Sequence, residues 1–325
     1  MKPKISLITG ASGEIGQNLI SYFSKSNNKK IVALDLNKPN KNIDVFKFIE
    51  GSILDGNILD GINEKYIVEE IFHLAAVLST KAEKNKGLAQ EVNIGGRINL
   101  LKLALSQYSN NNTKTKFFFP SSIAVYNIEE KNNHSKNNIN ENSYCNPKTI
   151  YGQHKLLCEN LGTALNNDAN EQKLKIDFRC IRFPGIISIN SMPTGGTSDY
   201  APEMIESARQ LKSYSCYVSN NCKIPFIVMP DAIDGIIKLM TCNKSKLINN
   251  VYNITSFSPT VSEFYNEIKL YYKNFILTYD INNQRQKIID SWPGILNDSI
   301  AKKHWGWKAK YNFKKSFNDY LFLKL

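Results

Sequence analysis

The sequence opens with Lys4-Ile-Ser-Leu-Ile-Thr9-Gly10-Ala-Ser-Gly13-Glu-Ile-Gly16, a short apolar run that passes directly into a turn with three glycines. The first six residues have the β-rich character of a buried strand, and the residues after Gly16 have the apolar spacing of a helix. Glycines in this pattern permit a tight turn, let the backbone approach a pyrophosphate, and allow the helix to pack on the strand. Free amides at a helix start also bind anions. The stretch therefore predicts a dinucleotide-binding turn.

A second apolar run, Ile31-Val-Ala-Leu34, ends in Asp35. An acidic residue about 20 residues after the glycines is the usual acceptor for the adenosine ribose hydroxyls, and its charge repels a 2′-phosphate. We therefore expect NAD as the cofactor. Lys38 leaves NADP open as the alternative, because a cation three residues further on could pair with that phosphate.

Strand-like and helix-like segments alternate along the chain, which favours an α/β protein with a Rossmann-type doubly wound parallel sheet. The predicted strands are 45–49, 69–74, 116–119 and 174–181, with helices at 83–106 and around Tyr151. Residues 225–229 and 231–240 indicate a further strand and helix of that sheet. We therefore expect an NAD-binding domain of residues 1–182 plus about 224–256, and a smaller, interleaved substrate lobe of residues 183–223 and 257–325. The polar, Asn-rich stretch 127–146 is typical of a mobile loop.

Two further motifs carry chemistry. Tyr151 and Lys155 are four residues apart, so on a helix they share one face, and a neighbouring ammonium favours the phenolate that a general base needs. The alternative is a surface Tyr beside a solvated Lys. Ser121 and Ser122 end an apolar strand, where open α/β sheets bind ligands, and Ser122 is the better candidate. The alternative is a pair of serines that merely ends a strand.

These motifs resemble the extended short-chain dehydrogenases/reductases, an epimerase-like family, through Thr9 to Gly16, Ser121 to Tyr126, and Tyr151 with Lys155. Within that family the chain is similar to the short-chain type of L-threonine 3-dehydrogenase. The similar stretches outside the cofactor motif are 74–79, 179–188, 195–201, 285–293 and 298–307. The resemblance implies an oxidoreductase of threonine catabolism, in which NAD oxidises the 3-hydroxyl of L-threonine to 2-amino-3-oxobutanoate.

The resemblance also implies roles for individual residues. Tyr151 is expected to be the base, Lys155 its ribose-binding partner, and Ser122 the donor to the reacting oxygen. The other cofactor-binding residues implied are Gly10, Ser12, Gly13, Glu14, Ile15, Gly16, Asp35, Ser52, Ile53, Leu74, Ala75, Ala76, Asn93, Pro184, Ile186 and Ile187. The substrate-binding residues implied are Ser79, Ser121, Ser122, Tyr151, Gly196, Thr197 and Trp292.

Three points stay open at this level. Trp292 either covers the pocket or packs in the core of the second lobe. The substrate carboxylate has two candidate partners, Arg182 and the backbone amides around Gly195 and Gly196. Ser52 stands where related sequences commonly carry Asp, and Thr194 replaces a glycine of the turn before Thr197.

Composition excludes several classes of function. The formal charge is +12, but the lysines are scattered without a basic stripe, so we expect no nucleic-acid partner. No apolar run is long enough to span a bilayer, so we expect no membrane partner and a cytoplasmic location. The six cysteines and four histidines lack metal-ligand spacing, which predicts reduced thiols and no metal. Helices 83–106 and 149–165 resemble those that form the homodimer contact in the family.

Two other functions remain as alternatives. A nucleotide-sugar epimerase or dehydratase has the same cofactor and Tyr/Lys pair, but needs a pocket for a diphosphate and a base. A non-catalytic NAD-sensing scaffold usually has a broken catalytic motif, whereas Tyr151, Lys155 and Ser122 are all present here.

Overall fold

The computed structural model describes residues 1–26, 29–39, 44–129, 136–166, 175–189 and 195–322. The strands are β1 (Lys4–Thr9), β2 (Ile31–Asp35), β3 (Lys47–Glu50), β4 (Ile67–His73), β5 (Thr115–Ser122), β6 (Ile176–Phe183), β7 (Gly185–Ile187), β8 (Tyr214–Cys216), β9 (Phe226–Val228), β10 (Val251–Asn253) and β11 (Leu277–Tyr279). The α-helices are α1 (Glu14–Ser26), α2 (Gly56–Lys65), α3 (Ser79–Lys84), α4 (Lys86–Gln90), α5 (Arg97–Asn111), α6 (Ile150–Asn166), α7 (Tyr200–Arg209), α8 (Met229–Thr241), α9 (Val261–Tyr271), α10 (Asn283–Asp290), α11 (Ser299–Trp305) and α12 (Phe313–Ser316).

Among the described residues, the main sheet has seven strands in the order β10-β6-β5-β4-β1-β2-β3, and every neighbouring pair is parallel. The predicted doubly wound parallel sheet is therefore confirmed. Strands β1 and β2 are nearly continuous apolar runs, as expected of strands that are covered on both faces. In β5, Phe118 packs into the core on one face, whereas Phe117 and Phe119 pack into the core on the other. The carboxyl ends of the strands form one edge, where such sheets bind ligands.

One strand assignment was wrong. Residues 225–229 were expected to join the main sheet, but β9 pairs with β7 in a separate two-stranded sheet. The seventh strand of the main sheet is instead β10, which pairs with β6. Helix α8 does pack on the main sheet, against β5 and β6. A three-residue apolar segment has no sequence signal for its partner, because pairing depends on long-range contacts.

The long helix expected at 83–106 is divided. It consists of α4, a π-helical segment at Glu91–Gly96 and the first part of α5, while α3 precedes it. π-helical turns often occur at functional sites. The segment inserts one wider turn, which brings the buried Asn93 side chain to the loop after β4.

The stretch 127–146 was expected to be a mobile loop, but several of its described residues are packed against the rest of the protein. The Asn127 amide donates to the Tyr144 carbonyl, and the Ile128 amide donates to the Ser291 carbonyl. Ile128 and Ile139 are both buried in the main core. Residues 130–135 lie outside the described residues.

Candidate active site

The glycine-rich turn lies between β1 and α1 at the carboxyl edge of the sheet. Gly10 has a φ of +69°, and a Cβ there would lie 2.5 Å from the Ala75 nitrogen. A Cβ on Gly16 would lie 2.4 Å from the Gly10 carbonyl oxygen. Both positions therefore require glycine, one for its backbone conformation and both for close approach. At Gly13 the nearest atom would be 3.2 Å away, so the fold itself constrains that position less.

Asp35 ends β2 beside this turn. One carboxylate oxygen accepts a hydrogen bond from the Ser12 amide at 2.9 Å, and the other accepts from the Asn37 amide at 3.3 Å. The carboxylate is half-buried, which leaves acceptor capacity on its open side for ribose hydroxyls. The glycine cradle and this acceptor together fit the adenosine end of NAD. Lys38, the residue that left NADP open, is exposed.

The loops after β3 and β4 complete this side of the crevice. The Gly51 amide donates to the Asp35 carbonyl at 2.8 Å, which places Ser52 and Ile53 next to Asp35. Residues 74–76 follow β4, and Asn93 fixes the next residue, Val77, by accepting from its amide and donating to its carbonyl. The expected cofactor-binding residues in these loops therefore lie along the carboxyl edge of the main sheet.

The start of α6, which carries Tyr151, lies against the segment that follows Ser122. The helix contacts both β5 and the short 3₁₀ turn at Ile123–Val125 that follows it. A Cβ on Gly152 would lie 2.1 Å from the Ala124 carbonyl oxygen, so only glycine permits this contact. The Glu83 carboxylate accepts from the Ile150 amide at 2.6 Å, where the helix dipole favours a negative charge. Sequence reasoning missed Gly152 and Glu83; the only signal was the position of Gly152 inside the Tyr/Lys motif.

The two serines at the end of β5 have different environments. Ser122 is half-buried, and its hydroxyl oxygen accepts from the Ala124 amide at 3.2 Å, so its O–H is free to donate. Ser121 is 3% exposed, and its hydroxyl has no hydrogen-bond partner among the described residues. This agrees with the preference for Ser122 as the donor to a reacting oxygen.

Lys155 is buried on the same face of α6 as Tyr151. Its ammonium donates to the Pro120 carbonyl at 2.6 Å and lies 5.4 Å from the centre of the Tyr151 ring. Burial lowers the pKa of Lys155 from 10.5 to about 8. Burial also raises the pKa of Tyr151 above its ordinary value. In the protein alone, desolvation of the phenolate therefore outweighs the effect of the neighbouring ammonium.

The residues expected to contact substrate also meet. The Thr197 hydroxyl donates to the Ser79 hydroxyl at 3.4 Å, and the Thr80 hydroxyl donates to the Gly195 carbonyl. Ser79 begins α3, one turn before Glu83, whose carboxylate contacts the start of α6. The Ser79–Thr197 contact therefore lies on the helix that also holds the Tyr151 helix in place.

Both candidate partners for a substrate carboxylate are already occupied. Arg182 is buried and donates to both Glu159 oxygens at 2.9 and 2.6 Å, as well as to the Tyr126 hydroxyl and the Glu141 carbonyl. The amides of residues 195 and 196 donate to the Asp199 carboxylate at 2.9 and 2.6 Å. Asp199 was not singled out from the sequence, although glycine and aspartate are both common in turns. Thr194 lies outside the described residues.

Two other expected site residues are largely inaccessible. Trp292 is 5% exposed and belongs to the main hydrophobic core, which favours the core interpretation over a pocket cover. Ile187 is fully buried in the same core, whereas its neighbour Ile186 in β7 is half-buried. Of these two β7 residues, Ile186 is therefore the one whose side chain can reach a cofactor. A cavity of about 420 Å³ between 136–137, 219–223 and 281–294 is lined by none of the expected site residues.

Comparison with known proteins gives a family match and several similar proteins. Residues 6–255 match the family described as the NAD dependent epimerase/dehydratase family. An uncharacterized epimerase/dehydratase of Staphylococcus haemolyticus is 33% identical over 94% of this chain and 93% of its own. The mitochondrial L-threonine 3-dehydrogenase of Sus scrofa is 32% identical over 96% of this chain and 80% of its own. The solved structure of a monomeric L-threonine 3-dehydrogenase from a metagenome is 37% identical, covers 96% of both chains, and superposes with a TM-score of 0.84.

Proposed function

Because the chain belongs to the NAD-dependent epimerase/dehydratase family, we propose that it oxidises the 3-hydroxyl of L-threonine to 2-amino-3-oxobutanoate. The family makes it an NAD-dependent oxidoreductase. The observation that supports L-threonine as the substrate is the full-length similarity, at 37% identity, to a solved L-threonine 3-dehydrogenase.

The active-site geometry supports the proton chemistry of this proposal. The Ser122 hydroxyl is free to donate to the substrate oxygen, and Tyr151 lies at the start of the helix that packs on the segment after Ser122. The Tyr151 phenolate takes the hydroxyl proton, and Lys155 stays next to its ring, held by the Pro120 carbonyl. When bound, NAD supplies the hydride-accepting ring, whose positive charge favours the phenolate against the burial that disfavours it.

The Ser79–Thr197 contact supports a small substrate. Two hydroxyls 3.4 Å apart offer both donors and acceptors to a polar molecule of amino-acid size. The β-turn that carries Thr197 is braced by Asp199 and by the Tyr217 hydroxyl, which donates to the Thr197 carbonyl at 3.1 Å. A braced turn keeps these hydroxyls in place before substrate enters, which reduces the cost of binding.

The family description and the staphylococcal relative keep nucleotide-sugar epimerisation or dehydration as the second candidate. Arg182 and the amides of residues 195 and 196 are bonded within the protein, so these donors are not available for a diphosphate. The same donors were the candidates for a substrate carboxylate, so their occupation does not separate the two substrates. The amino-acid substrate is favoured by the similarity to a solved L-threonine 3-dehydrogenase. A non-catalytic scaffold is disfavoured because Tyr151, Lys155 and Ser122 are all in place at the sheet edge.

A substrate panel tests the proposal. Purified protein is mixed with NAD and, separately, with L-threonine, its diastereomers, L-serine and 3-hydroxybutyrate, and NADH is followed by absorbance. We expect L-threonine to give the highest kcat/KM. In parallel, melting temperatures are measured with NAD plus L-threonine and with NAD plus UDP-glucose. Stabilisation by the nucleotide sugar, with no effect of L-threonine, would reverse the choice between the two candidates.

We further propose a cytoplasmic homodimer. All six cysteines are free thiols, as is typical of a reducing compartment. Ile98 on α5 and Leu157 on α6 are 38% and 43% exposed, and these helices are the ones expected to form the contact. Among the described residues, no helix is both long and apolar enough to cross a membrane.

A further inference from the structure

Arg97, the first residue of α5, is a buried cation that finds no acceptor in the described part of the chain. Its exposed fraction is 0%, and none of its three guanidinium nitrogens has a hydrogen-bond partner among the described residues. The guanidinium carbon lies 3.9 Å from the centre of the Phe119 ring and 5.0 Å from that of Phe178. Arginine is almost never fully buried unless it is paired, because desolvation of its charge is costly. Its burial between aromatic rings therefore needs a functional explanation.

Phe119 is the link between Arg97 and the candidate catalytic pair. The Lys155 ammonium lies 4.6 Å from the centre of the same ring and 5.4 Å from the centre of the Tyr151 ring. An aromatic face attracts a cation, so the ring holds both groups in fixed positions. In a buried site two such charges repel each other with little screening by solvent. Arg97 consequently acts on Lys155 at short range without contacting it.

The groups around Lys155 are His73 from β4, Arg97 from α5, Tyr151, Cys158 and Glu159 from α6, and Cys180 from β6. The two thiols beside Lys155 would raise its pKa if they ionised, but burial raises the pKa of each thiol, so both stay uncharged. Glu159 is the carboxylate of this set, and both its oxygens are bound by Arg182. The His73 ring stacks on Phe119 with its centre 6.0 Å away, and burial together with Arg97 and Lys155 lowers its pKa. The lowered pKa keeps His73 uncharged, so it adds no second cation next to Arg97.

We propose that Arg97 is a positioning residue of the active site, a fixed cation held against Phe119 that makes the Tyr151–Lys155 pair release its proton at lower pH. This inference rests on the proposed Tyr151–Lys155 chemistry. A nearby cation disfavours protonated Lys155 and favours the Tyr151 phenolate, so both effects act in the same direction. We expect removal of the charge to raise the pKa of Lys155. Burial and the repulsion from Arg97 both lower the pKa of Lys155, burial more strongly.

The kinetic test compares Arg97→Met and Arg97→Lys with the wild type. We expect Arg97→Met to move the ascending limb of the kcat–pH profile for L-threonine oxidation upward by roughly one pH unit, and Arg97→Lys to restore it. Arg209→Met, which removes an exposed arginine, is the control for net charge and should leave the limb unchanged. If Arg97 only fills space, its replacement lowers kcat or the melting temperature without moving the limb, and the proposal is overturned.

A second measurement needs no substrate. In protein labelled with [ε-¹³C]lysine, the Lys155 signal is assigned by its loss in Lys155→Met and titrated by NMR. We expect a wild-type midpoint well below the unperturbed value of about 10.4, and a higher midpoint in Arg97→Met, or in Arg97→Gln if the Met variant does not fold. A wild-type midpoint at the unperturbed value overturns the inference without any variant. If Lys155 behaves as expected but L-threonine gives no NADH, only the proposed substrate fails.

Discussion

Asp35 shows how one side chain can serve both the fold and the cofactor. Its carboxylate accepts from the Ser12 amide in the glycine-rich turn, so it braces the turn on which a pyrophosphate would bind. The same group is half-buried at the point where the ribose is expected. A shorter, neutral side chain would lose both the brace and the negative charge that excludes a 2′-phosphate.

We therefore predict that Asp35→Ser lowers kcat/KM for NAD by about 10- to 100-fold, since hydrogen bonds to a charged acceptor contribute about 1.5–3 kcal/mol. Discrimination against NADP should relax in the same variant. Steady-state rates with both cofactors measure this, and Asp60→Ser, at an exposed position of α2, is the matched control. A wild-type enzyme that prefers NADP would refute the assignment of Asp35.

For single residues, the sequence was better at predicting which side chains carry the chemistry than at predicting what surrounds them in the fold. The helical spacing of Tyr151 and Lys155 was enough to place them on one face, because that spacing is local. The occupation of Arg182 by Glu159, the burial of Trp292 and the raised pKa of Tyr151 were not predictable. Each depends on groups from distant segments, and a single sequence carries no signal for those contacts.

Helix α6 shows the same contrast between what the sequence predicts and what it does not, here for a whole helix. Its existence followed from the motif, but its position depends on how closely its first turn approaches the segment after Ser122. A Cβ on Gly152 would meet the backbone oxygen of Ala124 at 2.1 Å and the Pro147 side chain at 2.8 Å. The backbone oxygen cannot rotate away as a flexible side chain would. Any larger residue must therefore displace the helix start that carries Tyr151.

Gly152→Ala is accordingly predicted to lower kcat by roughly 10²-fold, the typical cost of a displacement of about 1 Å at a catalytic group. The extra methyl group should also destabilise the fold by about 1–3 kcal/mol. The control is Gly61→Ala in α2, where nothing lies within 4 Å of the added Cβ. That change should stabilise the protein slightly, because alanine is the better helix former. Unchanged kcat in Gly152→Ala, measured at saturating substrate, would show that this contact does not position Tyr151.

The strands of the sheet were predictable to different degrees. Six of its seven strands, β1 to β6, lay within or close to segments expected from apolar runs, because each is long enough to have a pattern. β10 is only three residues long and was missed, whereas β9 was assigned to the wrong sheet. Short strands are specified by their partners rather than by their own residues, which is why this part of the fold was not predictable.

The whole molecule has one sheet edge on which the predicted cofactor and catalytic groups converge. Asp35 ends β2, the glycine-rich turn follows β1, and Ser122 ends β5, so the parallel order of the strands brings distant residues together. The proposed division into residues 1–182 plus about 224–256, and the remaining lobe, stays a prediction. The main hydrophobic core includes residues of both parts, such as Phe118 and Trp292.

The oligomeric state is a property of the whole molecule that can be measured directly. If α5 and α6 form a homodimer contact, light scattering should give twice the chain mass of 36.9 kDa. Leu157→Lys, which places a charge on the exposed apolar face of α6, should yield the monomer without loss of fold. A wild-type mass of one chain would contradict the proposed dimer and would agree with the relative described as monomeric.

The central claim is that Tyr151 acts as the base in NAD-dependent oxidation of L-threonine, and the initial rate of NADH formation tests it most directly. The rate is measured with L-threonine for the wild type and for Tyr151→Phe, after both proteins are shown to bind NAD. Loss of a general base typically costs about 10²- to 10⁴-fold, so the variant should lose that much turnover while keeping NAD affinity. NAD-bound wild-type protein that forms no L-threonine-dependent NADH, or a Tyr151→Phe variant that keeps the wild-type rate, would contradict the account.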